Sequence, residues 1–181
     1  ALCNSVSAAF QERLRRAGAS ETIARGRPAT QMPAFAGTLT PADIEALVAF
    51  VYAPPAQRPV WGAAEIAASR VVHHAAGTLP DKPQFDADPL NLFVVVDAGD
   101  HHASILDGDR LERLARFPTR YALHGGPKFT PDGRHVYFAS RDGWVAKYDL
   151  WNLKTVAEVR AGLNTRNIAV SGDGRWVRAG N

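Results

Sequence analysis

Phe129-Thr130-Pro131-Asp132-Gly133-Arg134-His135-Val136 returns as Val170-Ser171-Gly172-Asp173-Gly174-Arg175-Trp176-Val177, with Asp132 and Asp173 separated by 41 residues. Each copy is a turn between apolar runs, and its Asp-Gly pair suits a tight hairpin in which one residue takes a positive φ. A second echo sets Asp107 against Asp149, 42 residues on. Around these anchors, short apolar or alternating segments fall at 92–97, 103–107, 111–117, 135–140, 144–149, 155–160 and 167–170, separated by turn residues. A period of roughly 40–45 residues built from four short strands marks a β-propeller blade. Residues 92–181 therefore predict the first roughly two blades, whereas closed propellers need about 4–8.

Upstream the period changes. Residues 1–53 read as helical. Phe10, Leu14 and Ala17 are at helical spacing, and Ala42–Ala53 is the clearer helix, with Ile44, Leu47, Val48, Val51 and Tyr52 on an i, i+3, i+4, i+7, i+8 stripe. Thr40-Pro41-Ala42-Asp43 provides its N-cap hydroxyl, a Pro at the first helical position and a carboxylate three residues after the cap. Pro54-Pro55 ends it, since neither residue can donate the next backbone hydrogen bond. Residues 54–91, Pro-rich at both ends with a short helix from Ala63 to about Arg70, read as a linker.

Composition narrows the class. Of 181 residues, 46% are apolar and 22% charged, an ordinary globular balance. No apolar run approaches the roughly 18 residues of a membrane span. The net charge of +3 rests on 17 Arg against 4 Lys, but the Arg are scattered, which argues against a nucleic-acid surface. Cys3 is the only cysteine, so no internal disulfide forms. The chain opens on Ala1 without a signal segment and stops where a strand is running at Gly174–Asn181, so an internal fragment of a longer protein is expected.

Two constellations carry chemistry. Met32, the only methionine, lies in Arg25-Gly26-Arg27-Pro28-Ala29-Thr30-Gln31-Met32-Pro33-Ala34-Phe35. A lone Met either fills a core or offers a soft thioether to a metal. His124 lies in Phe117-Pro118-Thr119-Arg120-Tyr121-Ala122-Leu123-His124-Gly125-Gly126-Pro127, where the two glycines leave its imidazole uncrowded and open to a flat ligand. Taken by itself, it reads first as a surface or satisfied histidine. His73-His74, His101-His102 and His135 show no paired metal spacing and receive no role.

Residues 20–53, with Met-Pro-Ala-Phe on a Pro-stiffened loop before a capped amphipathic helix, resemble the C-terminal half of a class I cytochrome c. That implies Met32 as the second axial ligand of a haem c iron. Cys-x-x-Cys-His, which attaches such a haem, is absent: Cys3-Asn4-Ser5-Val6-Ser7 does not supply it. Taken with Asn91-Leu92-Phe93, Ile105-Leu106-Asp107-Gly108-Asp109, Tyr121-Ala122-Leu123-His124, Ser140-Arg141-Asp142 and Tyr148-Asp149-Leu150-Trp151, the chain resembles the cytochrome cd1 superfamily, which joins a haem c domain to an eight-bladed propeller holding haem d1. The implied fold class is mixed: the C-terminal part of an all-α cytochrome c domain (1–53), a linker (54–91) and the start of an all-β propeller (92–181).

The resemblance implies His124 as proximal ligand of the haem d1 iron. It also implies Arg141, with Arg166 and Arg120 beside it, as cationic partners of the haem d1 carboxylates, a task the planar guanidinium fork suits. The stretch from Arg120 through Pro127 sits closer to the dihydro-haem d1 dehydrogenase branch than to the nitrite reductases. The expected activity is thus oxidation of dihydro-haem d1 to haem d1 with haem c as electron acceptor. Nitrite reduction to nitric oxide and a haem-free, protein-binding propeller are the alternatives. A tetrapyrrole ligand, a redox partner or haem d1 delivery protein and a periplasmic location are further implications. Distal catalytic residues are expected in later blades, leaving this stretch inactive alone.

Overall fold

The computed structural model describes residues 16–30, 32–53 and 60–180. Phe10, Leu14, Cys3, Gln31 and the Pro54-Pro55 helix stop lie outside them. The chain divides into two units, Ala1–Val60 and Trp61–Asn181. Among the described residues the regular structure is mainly β-sheet, with ten strands against three helices.

In the first unit, α1 (Arg16–Arg25) packs against α2 (Pro41–Tyr52). The start of α2 is the predicted one. Thr40 Oγ1 accepts from the Asp43 N–H, and the Asp43 carboxylate accepts from the Thr40 N–H at 3.0 Å, a reciprocal cap with Pro41 opening the helix. Hydrogen bonding to Thr40 holds the Asp43 carboxyl below its ordinary pKa. Of the predicted stripe, Ile44 and Val48 are buried with Ala19, whereas Leu47 is exposed.

The second unit opens on α3 (Ala63–Ala68) and β1 (Val71–Val72). Strands β2 (Leu92–Asp97), β3 (His102–Asp107) and β4 (Arg113–Pro118) form a three-stranded antiparallel sheet. Next come β5 (Lys128–Phe129), β6 (His135–Ala139), β7 (Trp144–Asp149) and β8 (Lys154–Arg160), then β9 (Asn167–Val170) paired with β10 (Val177–Gly180). The larger sheet runs β1-β8-β7-β6-β5, so β5 to β8 form a four-stranded blade to whose edge β1 is added.

The repeat is visible in three dimensions. The three-stranded sheet corresponds to β6–β7–β8, and β9–β10 to β5–β6. Both two-strand bulges fall at the same place, between Ile105 and Leu106 and between Lys147 and Tyr148. A Cβ on Gly133 would meet Leu90, and one on Gly174 would meet Pro131, the same neighbour one repeat later. The sheets stack through side chains that alternate along each strand. Val136, Phe138 and Tyr148 pack with Ala103 and Ile105 on one face of the central blade, and Ala139 and Val145 pack with Ile168 on the other. Ile105 and Val136 are fully enclosed, each contributing about 1.5–3 kcal/mol. Phe117 lies flat on Tyr148, ring centroids 3.9 Å apart.

The stretch expected as a linker behaves differently from Trp61 on. Trp61 Nε1 donates to Arg160 O at 2.9 Å, and the Arg160 guanidinium lies over its ring. Val71 and Val72 pair with Glu158 and Ala157, Gln84 N donates to Trp151 O, and Asn152 Nδ2 donates to Pro80 O. Residues 61–84 are thus a strap along the central blade, covering an edge strand whose N–H and C=O groups would otherwise be open.

Candidate functional site

The site is built where the chain passes from β4 to β5. Residues 119–127 form no strand, yet their backbone is tied to the β6–β7 hairpin: His124 N donates to Ala139 O at 2.8 Å, Leu123 pairs with Ser140, and Arg141 N donates to Ala122 O at 3.0 Å. Ala122 takes a φ of 47 to make this path. His124 and Arg141, 17 positions apart, are therefore delivered side by side.

Gly125, at φ +83, cannot be another residue without displacement: a Cβ there would lie 2.5 Å from Asn167 Oδ1 and 3.0 Å from Arg166 O. Close approach of the 166–167 backbone is what places His124 Nδ1 2.7 Å from Arg166 O. The carbonyl can only accept, so Nδ1 is the donor, and the tautomer this selects has its lone pair on Nε2. Lys128 Nζ locks the loop below by donating to Gly125 O at 2.6 Å. His124, Gly125, Gly126 and Pro127 line a cleft of ≈ 120 Å³ with Val96, Leu123, Phe138 and Ala139. That is well under the roughly 300–1,000 Å³ of a drug-sized pocket.

The charged residues divide. Arg141 and Arg166 are exposed, and among the described residues neither guanidinium has a partner. Both remain available to anionic groups. Arg120 departs from the expectation. Its Nε and Nη2 donate to the Glu158 carboxylate at 2.7 and 2.9 Å, and its plane lies on Trp144, 3.9 Å from the ring centroid. The fork that would grip a ligand carboxylate is spent within the protein. Glu158 itself carries no signal in the sequence; only its 38-residue separation from Arg120, closed by the fold, reveals it.

Met32 sits in the first unit, half-buried, on the loop that follows α1. Gly26, at φ +70, lets this loop turn back, since a Cβ would come within 2.6 Å of the Pro33 carbonyl carbon. Arg27 N then donates to Met32 O, and Phe35 and Ala36 donate to Ile23 and Ala24 of α1. Among the described residues no group of three His, Cys, Asp or Glu could hold a metal ion, and no helix is long and apolar enough to cross a membrane.

A dihydro-heme d1 dehydrogenase of Pseudomonas aeruginosa is 68% identical to this chain over 169 residues, covering 93% of the chain and 34% of that protein. The solved structure of the dihydro-heme d1 dehydrogenase NirN in complex with DHE superposes with a TM-score of 0.78 at 67% identity, covering 94% of this chain and 37% of that one. Protein NirF of the same organism is 34% identical over 92 residues, covering 50% of this chain and 24% of that protein. The chain thus spans about a third of the length of the dehydrogenases it matches. The family model for the cytochrome D1 heme domain matches residues 87–181, the repeat and both arms of the His124 site together. On this match and these identities, the chain belongs to the cytochrome D1 heme domain family.

Proposed function

We propose that this chain is part of an oxidoreductase that binds dihydro-haem d1 and oxidises it to haem d1, a reaction that removes two electrons and two protons from a propionate side chain as it becomes an acrylate. The observation that carries this reading is the His124 imidazole: Nδ1–H is fixed on Arg166 O, which aims the Nε2 lone pair away from the backbone as a metal ligand requires. Arg141 and Arg166 supply positive charge beside it for the carboxylates of an acidic tetrapyrrole. Glycines at 125 and 126 keep side chains off the approaching macrocycle.

When bound, dihydro-haem d1 supplies the oxidisable side chain and haem c supplies the electron acceptor. What this chain contributes is orientation. The carbonyl of Arg166 sets the tautomer and angle of His124, and the Leu123–Ser140 pairing sets the distance to Arg141. Met32 is the proposed axial thioether for the haem c iron. Residues 1–181 hold no Cys-x-x-Cys-His, so they do not fit covalent attachment of that haem. Residues 1–53 are proposed as the C-terminal part of a cytochrome c domain, and the location of the whole protein as periplasmic.

Titration with dihydro-haem d1, followed by absorption, tests the reading. His124→Ala should erase the imidazole-ligated spectrum and weaken binding by more than the 10–100-fold typical of losing an outer-shell partner. Unchanged ligation in that variant would remove His124 from the site. Conversion of the bound dihydro form to haem d1 by the whole protein separates this activity from nitrite reduction, and absence of binding by either form leaves the haem-free propeller.

A further inference from the structure

Glu158 is a carboxylate with only 12% of its side chain exposed, on the outermost repeat strand of the central blade. Three donors converge on it: Arg120 Nε and Nη2 at 2.7 and 2.9 Å, and His73 Nε2, from the strap, at 3.0 Å. Burial alone raises its pKa; the hydrogen bonds and charges of Arg120 and His73 overcome this and bring it below the ordinary value. It is ionised because it is clamped, and it has no place among the residues lining the His124 cleft.

What it clamps is placed on both arms of the site. Arg120 lies four positions before His124, on the unpatterned segment that delivers it. Trp144, the face on which the Arg120 plane rests, lies three positions after Arg141 and opens β7. Packing around the pair is incomplete. Arg120 and Glu158 line a small cavity of ≈ 20 Å³ together with Phe117, Leu123 and Tyr148, and the buried Tyr148 hydroxyl has no hydrogen-bond partner among the described residues. That void is only about the size of one water, but apolar packing around it is non-directional, and the fork of Arg120 adds a directional constraint. A bidentate pair fixes direction as well as distance.

We infer that Glu158 is a positioning residue: through Arg120 and Trp144 it fixes the segment that carries His124 and the hairpin that carries Arg141 in one relative geometry. The inference rests on the proposed ligand site for its consequence, but its mechanical content is independent of any ligand.

The test uses Glu158→Gln and Arg120→Lys in the full chain, the first removing the charge and the second the fork. In ligand-free protein, hydrogen exchange at the His124 and Arg141 amides should accelerate about tenfold in both variants, while the β6–β7 ladder amides keep their rates. The double variant should exchange no faster than the faster single one. With dihydro-haem d1 added, the imidazole-ligated absorption band should shift in both variants and not merely lose amplitude. Unchanged exchange at His124 and Arg141, or equal acceleration across the whole blade, overturns the positioning role. If the unmodified protein binds no dihydro-haem d1, the proposed function fails while the exchange result still decides this inference. Should Glu158→Gln fail to fold, Arg120→Lys alone decides it.

Discussion

The two Asp-Gly-Arg hairpins are one turn set in two environments. In the first, Arg134 N donates to Asp132 Oδ1 at 3.1 Å, His135 N to Thr130 Oγ1 at 3.0 Å, and Gly133 N to Thr130 O at 2.9 Å. In the second, Arg175 N, Trp176 N and Gly174 N make the same three bonds to Asp173, Ser171 Oγ and Ser171 O, at 3.1, 3.0 and 2.9 Å. Both glycines sit at φ +69. Beyond the backbone the likeness ends. The Arg134 guanidinium reaches the buried Asp149 carboxylate through Nε and Nη2 at 3.2 Å, meets Asp81 of the strap, donates to Pro80 O and lies over Trp151. Arg175 is exposed and has no such partner among the described residues. Local sequence dictates the turn; what the arginine does depends on which strands lie opposite.

That contrast breaks most sharply at the two arginines. Arg134→Ala leaves Asp149 buried with its two hydrogen bonds from Asn152 and the more distant His135 Nε2 at 3.8 Å, and unpins the strap at Pro80 and Asp81. Truncating one partner of a buried pair costs about 3 kcal/mol or more. Arg175→Ala should stay within about 0.5 kcal/mol of the parent, as exposed substitutions do. Urea unfolding of the two variants measures both, and equal losses would mean that the two hairpins are held alike.

The same division decides how much of the molecule its sequence discloses. Strands β2, β7 and β9 fall on the predicted spans, because alternation and turn residues are local signals. So does the start of α2, where Thr40, Pro41 and Asp43 act within four positions. The strap was not legible. Trp61 and Arg160 are 99 residues apart, and nothing near Trp61 distinguishes it from a solvated linker residue. The partner of Arg120 is hidden for the same reason: nothing near Arg120 in the sequence points to Glu158, which β8 brings beneath it. The fold brings the segment of His124 beside the hairpin of Arg141 through backbone bonds that no residue type announces, and the carbonyl of Arg166, which decides the tautomer, is likewise a backbone atom.

A smaller effect should be shared by the two hairpins. Gly133→Ala and Gly174→Ala each force a side chain into the left-handed region, at about 1 kcal/mol. The added Cβ meets Leu90 at 3.4 Å in the first and Pro131 at 3.2 Å in the second, so the second should be only slightly the worse. Equal costs here beside unequal costs at the arginines would separate the local term from the tertiary one. A difference above about 1 kcal/mol between the glycines would show that the turns themselves are not equivalent.

The smallest effect reads the hydroxyls. Hydrogen bonds from Thr130 and from Ser171 are the leading cause that holds the Asp132 and Asp173 carboxyls below the ordinary aspartate value. A carboxyl depressed in the folded state contributes stability above its unfolded pKa and loses it as pH falls through the folded one. Thr130→Val should therefore raise the Asp132 pKa toward 3.8 and leave Asp173 untouched, and Ser171→Ala should do the reverse. NMR titration of the two carboxyl carbons measures this directly. In unfolding experiments, the deficit of each variant should be constant near neutrality and narrow as the pH drops below the folded pKa, where the parent has lost the same interaction. A deficit that persists in acid would place the contribution of the hydroxyl in its acceptance of the His135 or Trp176 N–H instead, which no carboxyl titration touches.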